Sequence, residues 1–152
     1  MIHVEISESI INSAPASHLE LLEKAASKAM EYVHIPADTE LTIVLSDDDQ
    51  LQELNRQFLL IDEPTDVLSF PAELTDPDTN APYLGDIIIS YQRAQVQAAA
   101  GSHAIEDELH LLAVHGVLHL CGYDHARDEE KAEMWAIQAK ILAQLGSKCF
   151  PS

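Results

Sequence analysis

The stretch HGVLHLCGYDH, residues 115–125, decides how this part of the chain folds and what it can hold. It closes an apolar run that reads as a helix over residues 107–120. Residues four apart on a helix lie on one face, with Cβ atoms roughly 5–6 Å apart, so His115 and His119 point the same way. Gly122 then supplies the left-handed residue that ends a helix, and the turn it makes can bring back His125. Neutral imidazole suits zinc, and three protein ligands leave a fourth tetrahedral position for water, the pattern of catalytic zinc. Cys121 follows His119 by two positions, about 200° around the helix, and reads as a small buried hydrophobe. His110 stands about 140° off the face of His115. His3, His18, His34 and His103 are isolated, which suits solvated or structural side chains.

Outward from this run, the chain alternates strand and helix patterns. IHVEI at 2–6 reads as a first strand, and Ser13 with Pro15 opens a helix from Ala16 to about Val33 with Leu19, Leu22, Ala26, Ala29, Met30 and Val33 as its apolar stripe. LTIVL at 41–45 has the β-branched, apolar character of a buried strand. A second helix follows, with Ser46 as its cap, Asp47, Asp48 and Asp49 at the positive end of its dipole, and Leu51, Leu54 and Phe58 on its inner face. The three aspartates therefore read as helix-start residues and not as a metal cluster.

DVLSF at 66–70 is a third strand between Pro64 and Pro71, the segment 74–83 a polar, proline-bearing loop, and DIIIS at 86–90 a fourth strand. From Tyr91 the pattern is helical with a break near Gly101, and a last helix from Asp128 to Leu145 places Met134, Ile137, Ile141 and Leu145 on one face. The order β-α-β-α-β-β-α-α predicts an α+β domain over residues 1–152. In it a four-stranded mixed sheet is packed by helices, with the metal site at the end of one helix and the turn after it.

The composition, 47% hydrophobic and 22% charged, is that of an ordinary globular chain. Two cysteines, Cys121 and Cys149, make no disulfide framework for this length, and the first residues lack the basic start and apolar run of a signal peptide. A cytoplasmic location is expected. No stretch approaches the roughly 20 apolar residues of a membrane helix, so no membrane role is expected. A net charge of −18 opposes general attraction to nucleic acid, though screening beyond about 8 Å leaves room for a local basic cleft. The acidity itself suits a solvated surface.

One zinc ion with an open position brings the pKa of its water towards about 7, which makes hydrolysis of a carbonyl or phosphodiester the expected reaction class. The spacing also fits the metzincin protease pattern H-E-x-x-H-x-x-G-x-x-H, except that Gly116 stands where that pattern has its glutamate base. Glycine can neither take a proton from water nor return one to a leaving amine, which removes peptide hydrolysis by that route.

HGVLHLCGYDH resembles the signature H-G-x-L-H-L-x-G-Y-D-H of the YbeY family of bacterial and organellar metallo-endoribonucleases. PTDVLSFP at 64–71 and LGDIIIS at 84–90 resemble that family's two other blocks in the same order, and LN at 54–55 with Met134 extends the likeness over most of the chain. The resemblance implies zinc bound through His115, His119 and His125. It also implies cleavage of single-stranded RNA, in maturation of the small-subunit ribosomal RNA 3′ end and in ribosome quality control, with the ribosome or ribosomal proteins as partners. Family members usually carry an arginine four residues after the asparagine of the LN pair, where this chain has Leu59. Leucine offers neither the bidentate fork nor the positive charge that a phosphate takes from arginine. Arg56, one helical turn earlier, is the candidate replacement.

Ser69 either lines the cleft beside the metal or satisfies its strand. Thr65 and Asp66 read more as strand-start residues, and Asp86 admits both roles. Asp124 either hydrogen-bonds a ligand imidazole or caps the last helix. The attacking group is either the RNA 2′-hydroxyl or a zinc-bound water. An alternative to the enzyme is a non-catalytic ribosome assembly factor with a structural zinc, suggested by the acidic surface and Leu59.

Overall fold

A computed structural model describes residues 2–75, 82–123 and 126–147. Four strands, β1 (Ile2–Ile6), β2 (Glu40–Ser46), β3 (Val67–Thr75) and β4 (Pro82–Ser90), form one sheet in the order β1-β2-β4-β3. β1 runs parallel to β2 and β2 to β4, while β3 pairs antiparallel with β4 at the edge. Five α-helices accompany it: α1 (Ala16–Tyr32), α2 (Asp48–Leu59), α3 (Tyr91–Ala100), α4 (Ile105–Leu120) and α5 (Asp128–Gln144). The mixed α+β architecture is the one expected. The break near Gly101 makes α3 and α4 separate helices, so the order ends in three helices where the sequence reading had two.

Side-chain alternation divides the sheet between two apolar layers. Leu41, Ile43 and Leu45 of β2 and Ile87 and Ile89 of β4 point to one face and are fully buried with Leu22, Ala25, Ala26 and Ala29 of α1 and Leu109, Val114 and Leu118 of α4. Val44 and Ile88 point to the other face, where they meet Leu51 and Leu54 of α2 and Leu68 and Phe70 of β3. β4 is covered on both sides, which is why DIIIS carries three successive isoleucines without polar interruption.

The differences from the sequence reading lie at element ends. β3 continues through Pro71 to Thr75 and β4 starts at Pro82, so part of the expected loop at 74–83 is strand; residues 76–81 lie outside the described residues. Proline is tolerated because β3 is an edge strand and the pairing slips between Pro71 and Leu74. Gly85 sits opposite this slip with φ +148°, and a Cβ there would come within 2.4 Å of the Phe70 carbonyl oxygen.

The cap of α2 is Asp47 and not Ser46: its carboxylate accepts the Gln50 N–H at 2.7 Å, and this bond together with one from the Ser9 hydroxyl holds its pKa below the usual range. Ser46 is fully buried, with its hydroxyl 3.0 Å from that of Ser7. Phe58, assigned to the inner face of α2, is 63% exposed and meets the layer in an edge contact with Phe70.

Candidate metal centre

α4 is the helix that presents the histidines, and it lies so close to the sheet because of Gly116. A Cβ at Gly116 would meet the Ile87 side chain at 2.9 Å, so glycine here lets the helix backbone rest on β4. The residue that stands in place of a protease's glutamate is thus a close-packing contact. Ser69, on the same face of the sheet, donates its hydroxyl to the Gly116 carbonyl at 3.4 Å and ties β3 to the helix between the two histidines.

His115 and His119 are half-buried neighbours with ring centroids 4.7 Å apart and planes at 65°. One turn further, α4 ends in a Schellman arrangement: Gly122 N–H bonds to the His119 carbonyl and Tyr123 N–H to the Leu118 carbonyl, both at 3.0 Å, with Gly122 at φ +97°. The helix therefore stops, through glycine, where the sequence reading placed its end. Asp124 and His125 lie outside the described residues, and among the described residues no group of three His, Cys, Asp or Glu side chains forms a metal-binding set. Cys121, at the helix end, packs partly buried against the core, and burial pushes its thiol up to about 11, in keeping with a hydrophobe and not a thiolate ligand.

Two residues that the sequence reading missed stand against His115. Its Nδ1 lies 2.7 Å from Oε1 of Gln138 on α5, and its ring meets Trp135 edge-on, with centroids 5.9 Å apart and planes at 83°. These three residues line a cavity of about 190 Å³ together with Asp66, Val67, Leu111 and Leu112. The signal for Gln138 was present: it falls between Met134 and Ile141 at i+4 and i−3, a polar residue in the apolar stripe of α5. Lys131, one turn before Trp135, sits 5.4 Å from its ring centroid.

Asp66 borders the cavity while bonded into the structure behind it. With its amide nitrogen turned to the carboxylates, Gln97 donates to Asp66 at 3.3 Å and to buried Glu108 at 2.7 Å, and His103 lies 2.8 Å from the other Glu108 oxygen. Thr65 has a 3.5 Å contact with the same Asp66. Asp86 falls on the opposite face of the sheet, where the Tyr83 hydroxyl lies against it and 2.6 Å from Thr42. Burial and this carboxylate raise the Tyr83 pKa to about 12. Of the remaining histidines, His18 is buried between Tyr91 (3.0 Å) and Glu106 (3.3 Å), a structural role. Arg56 stands on the exposed side of α2, paired with Glu53, and Leu59 in the last turn is 53% exposed.

The donors present suit a borderline divalent ion: two imidazoles on one helix face, the first held through Nδ1 by a buried amide.

The family model described as Endoribonuclease YbeY matches residues 3–146. A Heliobacterium modesticaldum protein named Endoribonuclease YbeY is 42% identical over 137 residues, covering 83% of this chain and 82% of the relative. A Geobacillus kaustophilus protein of the same name is 38% identical, covering 95% of this chain and 97% of its own. A solution structure of a Thermotoga maritima protein shares 32% identity with a TM-score of 0.62, over 95% of this chain and 89% of that one. With the HGVLHLCGYDH run, the α4 geometry and matches across nearly its whole length, the chain belongs to the YbeY endoribonuclease family.

Proposed function

We propose that this protein is an endoribonuclease that cuts single-stranded RNA with the help of one zinc ion held by His115, His119 and His125. The observation that carries the proposal is the pairing of His115 and His119 on one face of α4, with Gly122 turning the chain straight after them. Bound zinc would supply Lewis acidity to a phosphodiester and to the group that attacks it.

The chain's own residues hold and frame the reacting groups. The imidazoles of His115 and His119 are fixed by a helix whose other side is fully buried, so they cost little to order at the moment of reaction. Trp135 walls the cavity beside His115 and keeps water from one side of it. Ser69 holds β3 against α4, next to Gly116, and faces the same region as a substrate-binding candidate. Arg56 is the candidate phosphate ligand. Its partner Glu53 is as exposed as Arg56 itself, and exposed ion pairs are weak enough for a polyphosphate to displace.

The substrate proposed is ribosomal RNA, in small-subunit 3′-end maturation and ribosome quality control, with ribosomal proteins as partners and the cytoplasm as location. Among the described residues no helix is long and apolar enough to cross a membrane. A second reading is a non-catalytic ribosome assembly factor with a structural zinc. Leu59 favours it, as do its exposed neighbours Phe58, Leu60 and Ile61, which form an apolar surface where the enzyme reading wants a cation.

Cleavage of single-stranded RNA by purified protein separates the two. The enzyme predicts turnover with zinc, loss with chelator and loss of at least 100-fold in His115→Ala, consistent with removal of a metal ligand. Ribosome binding without cleavage at metal saturation would select the second reading. Unchanged cleavage by Arg56→Ala would remove the role given to Arg56.

A further inference from the structure

We propose that Gln138 is a positioning residue: it sets the tautomer and the orientation in which His115 binds metal. The inference rests on the metal reading above.

Gln138 is fully buried in the stripe of α5 that also buries Met134, Ile141 and Leu142. Its Nε2 has no hydrogen-bond partner among the described residues. An orphaned buried amide donor is a net cost to the fold, and leucine or methionine at the same position would remove that cost. What Gln138 contributes in return is Oε1, 2.7 Å from His115 Nδ1.

An amide oxygen only accepts, so the Nδ1 that faces it carries the ring proton. A neutral imidazole has one N–H, and its lone pair is then on Nε2, the nitrogen left to coordinate. The reversed amide would donate to Nδ1, put the proton on Nε2 and remove His115 as a ligand through that nitrogen. Metal binding and the oxygen-inward orientation of Gln138 therefore favour one another. Because α5 carries Gln138 and Trp135 while α4 carries His115, the contact also fixes the ring plane across a helix pair. A carboxylate could accept the same proton, whereas glutamine does so without burying a charge.

The test is zinc affinity of the full chain, measured by competition with a chromophoric chelator, together with the thermal midpoint of the metal-free protein. Trp135, the chain's one tryptophan and 5.9 Å from the His115 ring, gives a local fluorescence signal for loading. Gln138→Leu should bind zinc 10–100-fold more weakly while its metal-free midpoint stays level or rises. Gln138→Glu, which keeps an acceptor, should retain affinity within a few-fold. Gln138→Met serves as a second shape-matched variant without the amide, and should weaken zinc as leucine does if leucine fails to fold.

Zinc affinity within threefold of wild type in the leucine or methionine variant would overturn the proposal. So would a lowered metal-free midpoint with zinc affinity unchanged, the mark of a purely structural residue. A wild-type protein that takes up no zinc would instead overturn the metal reading on which the proposal stands.

Discussion

The C-terminal ends of α2 and α4 both turn through a left-handed residue, and they solve that turn in opposite ways. α4 uses Gly122, where a Cβ would meet nothing within 4 Å among the described residues, and its last turns are buried through Val117, Leu118 and Leu120. α2 uses Leu60 at φ +60°, 88% exposed, with Phe58, Leu59 and Ile61 exposed around it. A leucine in this region is strained by its own Cβ, roughly 1–2 kcal/mol per residue. One helix end is thus consistent at every level, from residue type to backbone to burial, and it carries the histidines. The other holds its shape through Asn55, which is buried, donates to the Glu63 carbonyl at 3.0 Å and accepts the Ile61 N–H on its own carbonyl at 3.3 Å. The comparison teaches that LN at 54–55 is a structural anchor for the segment after α2, whose apolar side chains are left facing solvent.

The largest expected contrast is in packing. Leu118→Ala removes a fully buried side chain beneath the histidine pair and should cost about 2–5 kcal/mol, whereas Leu59→Ala at the exposed end of α2 should stay within about 0.5 kcal/mol in denaturant unfolding. Equal losses would mean that α2's end is covered in solution. Next comes the backbone itself. Gly122→Ala meets no steric neighbour among the described residues, so its expected loss of about 1–2 kcal/mol is backbone strain, while Leu60→Gly should gain up to about 1 kcal/mol. Should both substitutions move stability the same way, the assignment of strain to Leu60 would fail.

The smallest effect is a pH dependence on α4. Burial lowers the His110 pKa, against the opposing pull of Asp107 and Glu106, and its Nδ1 has no partner among the described residues. The unfolded chain, with an ordinary imidazole near 6.5, then binds a proton that the folded chain resists. The contribution of this histidine to stability is full above the unfolded value and is lost as pH falls from there towards the lowered folded value. Unfolding followed between pH 8 and pH 5 should lose stability on the acid side in wild type, and His110→Phe should flatten that slope. An unchanged slope in the variant would assign the loss to other groups.

The histidine spacing, the glycine stop and the strands LTIVL and DIIIS were legible because each rests on local geometry: a helical repeat, a left-handed turn, a face-to-face alternation. Proline at 71 misled for the same reason, since local rules mark it as a strand end and only pairing with β4 carries β3 past it. Phe58 misled because helical periodicity marks an apolar face without saying how far the covering layer reaches. Among site residues, His115 and His119 were legible four apart on one helix, while Gln138 could only be found once α5 was packed on α4, 23 positions along the chain.

The sequence by itself determined the α+β class, the helix that carries the histidines, and through a near-complete signature the family to which the chain belongs. Only the tertiary structure decided that Gly116 is a contact with Ile87, that Asp86 lies on the far face of the sheet from α4, and that a buried amide meets His115. The division has a physical cause. Helix and turn geometry is set by bonds between near neighbours, whereas the partner of a side chain is set by whichever distant element the hydrophobic layers bring against it.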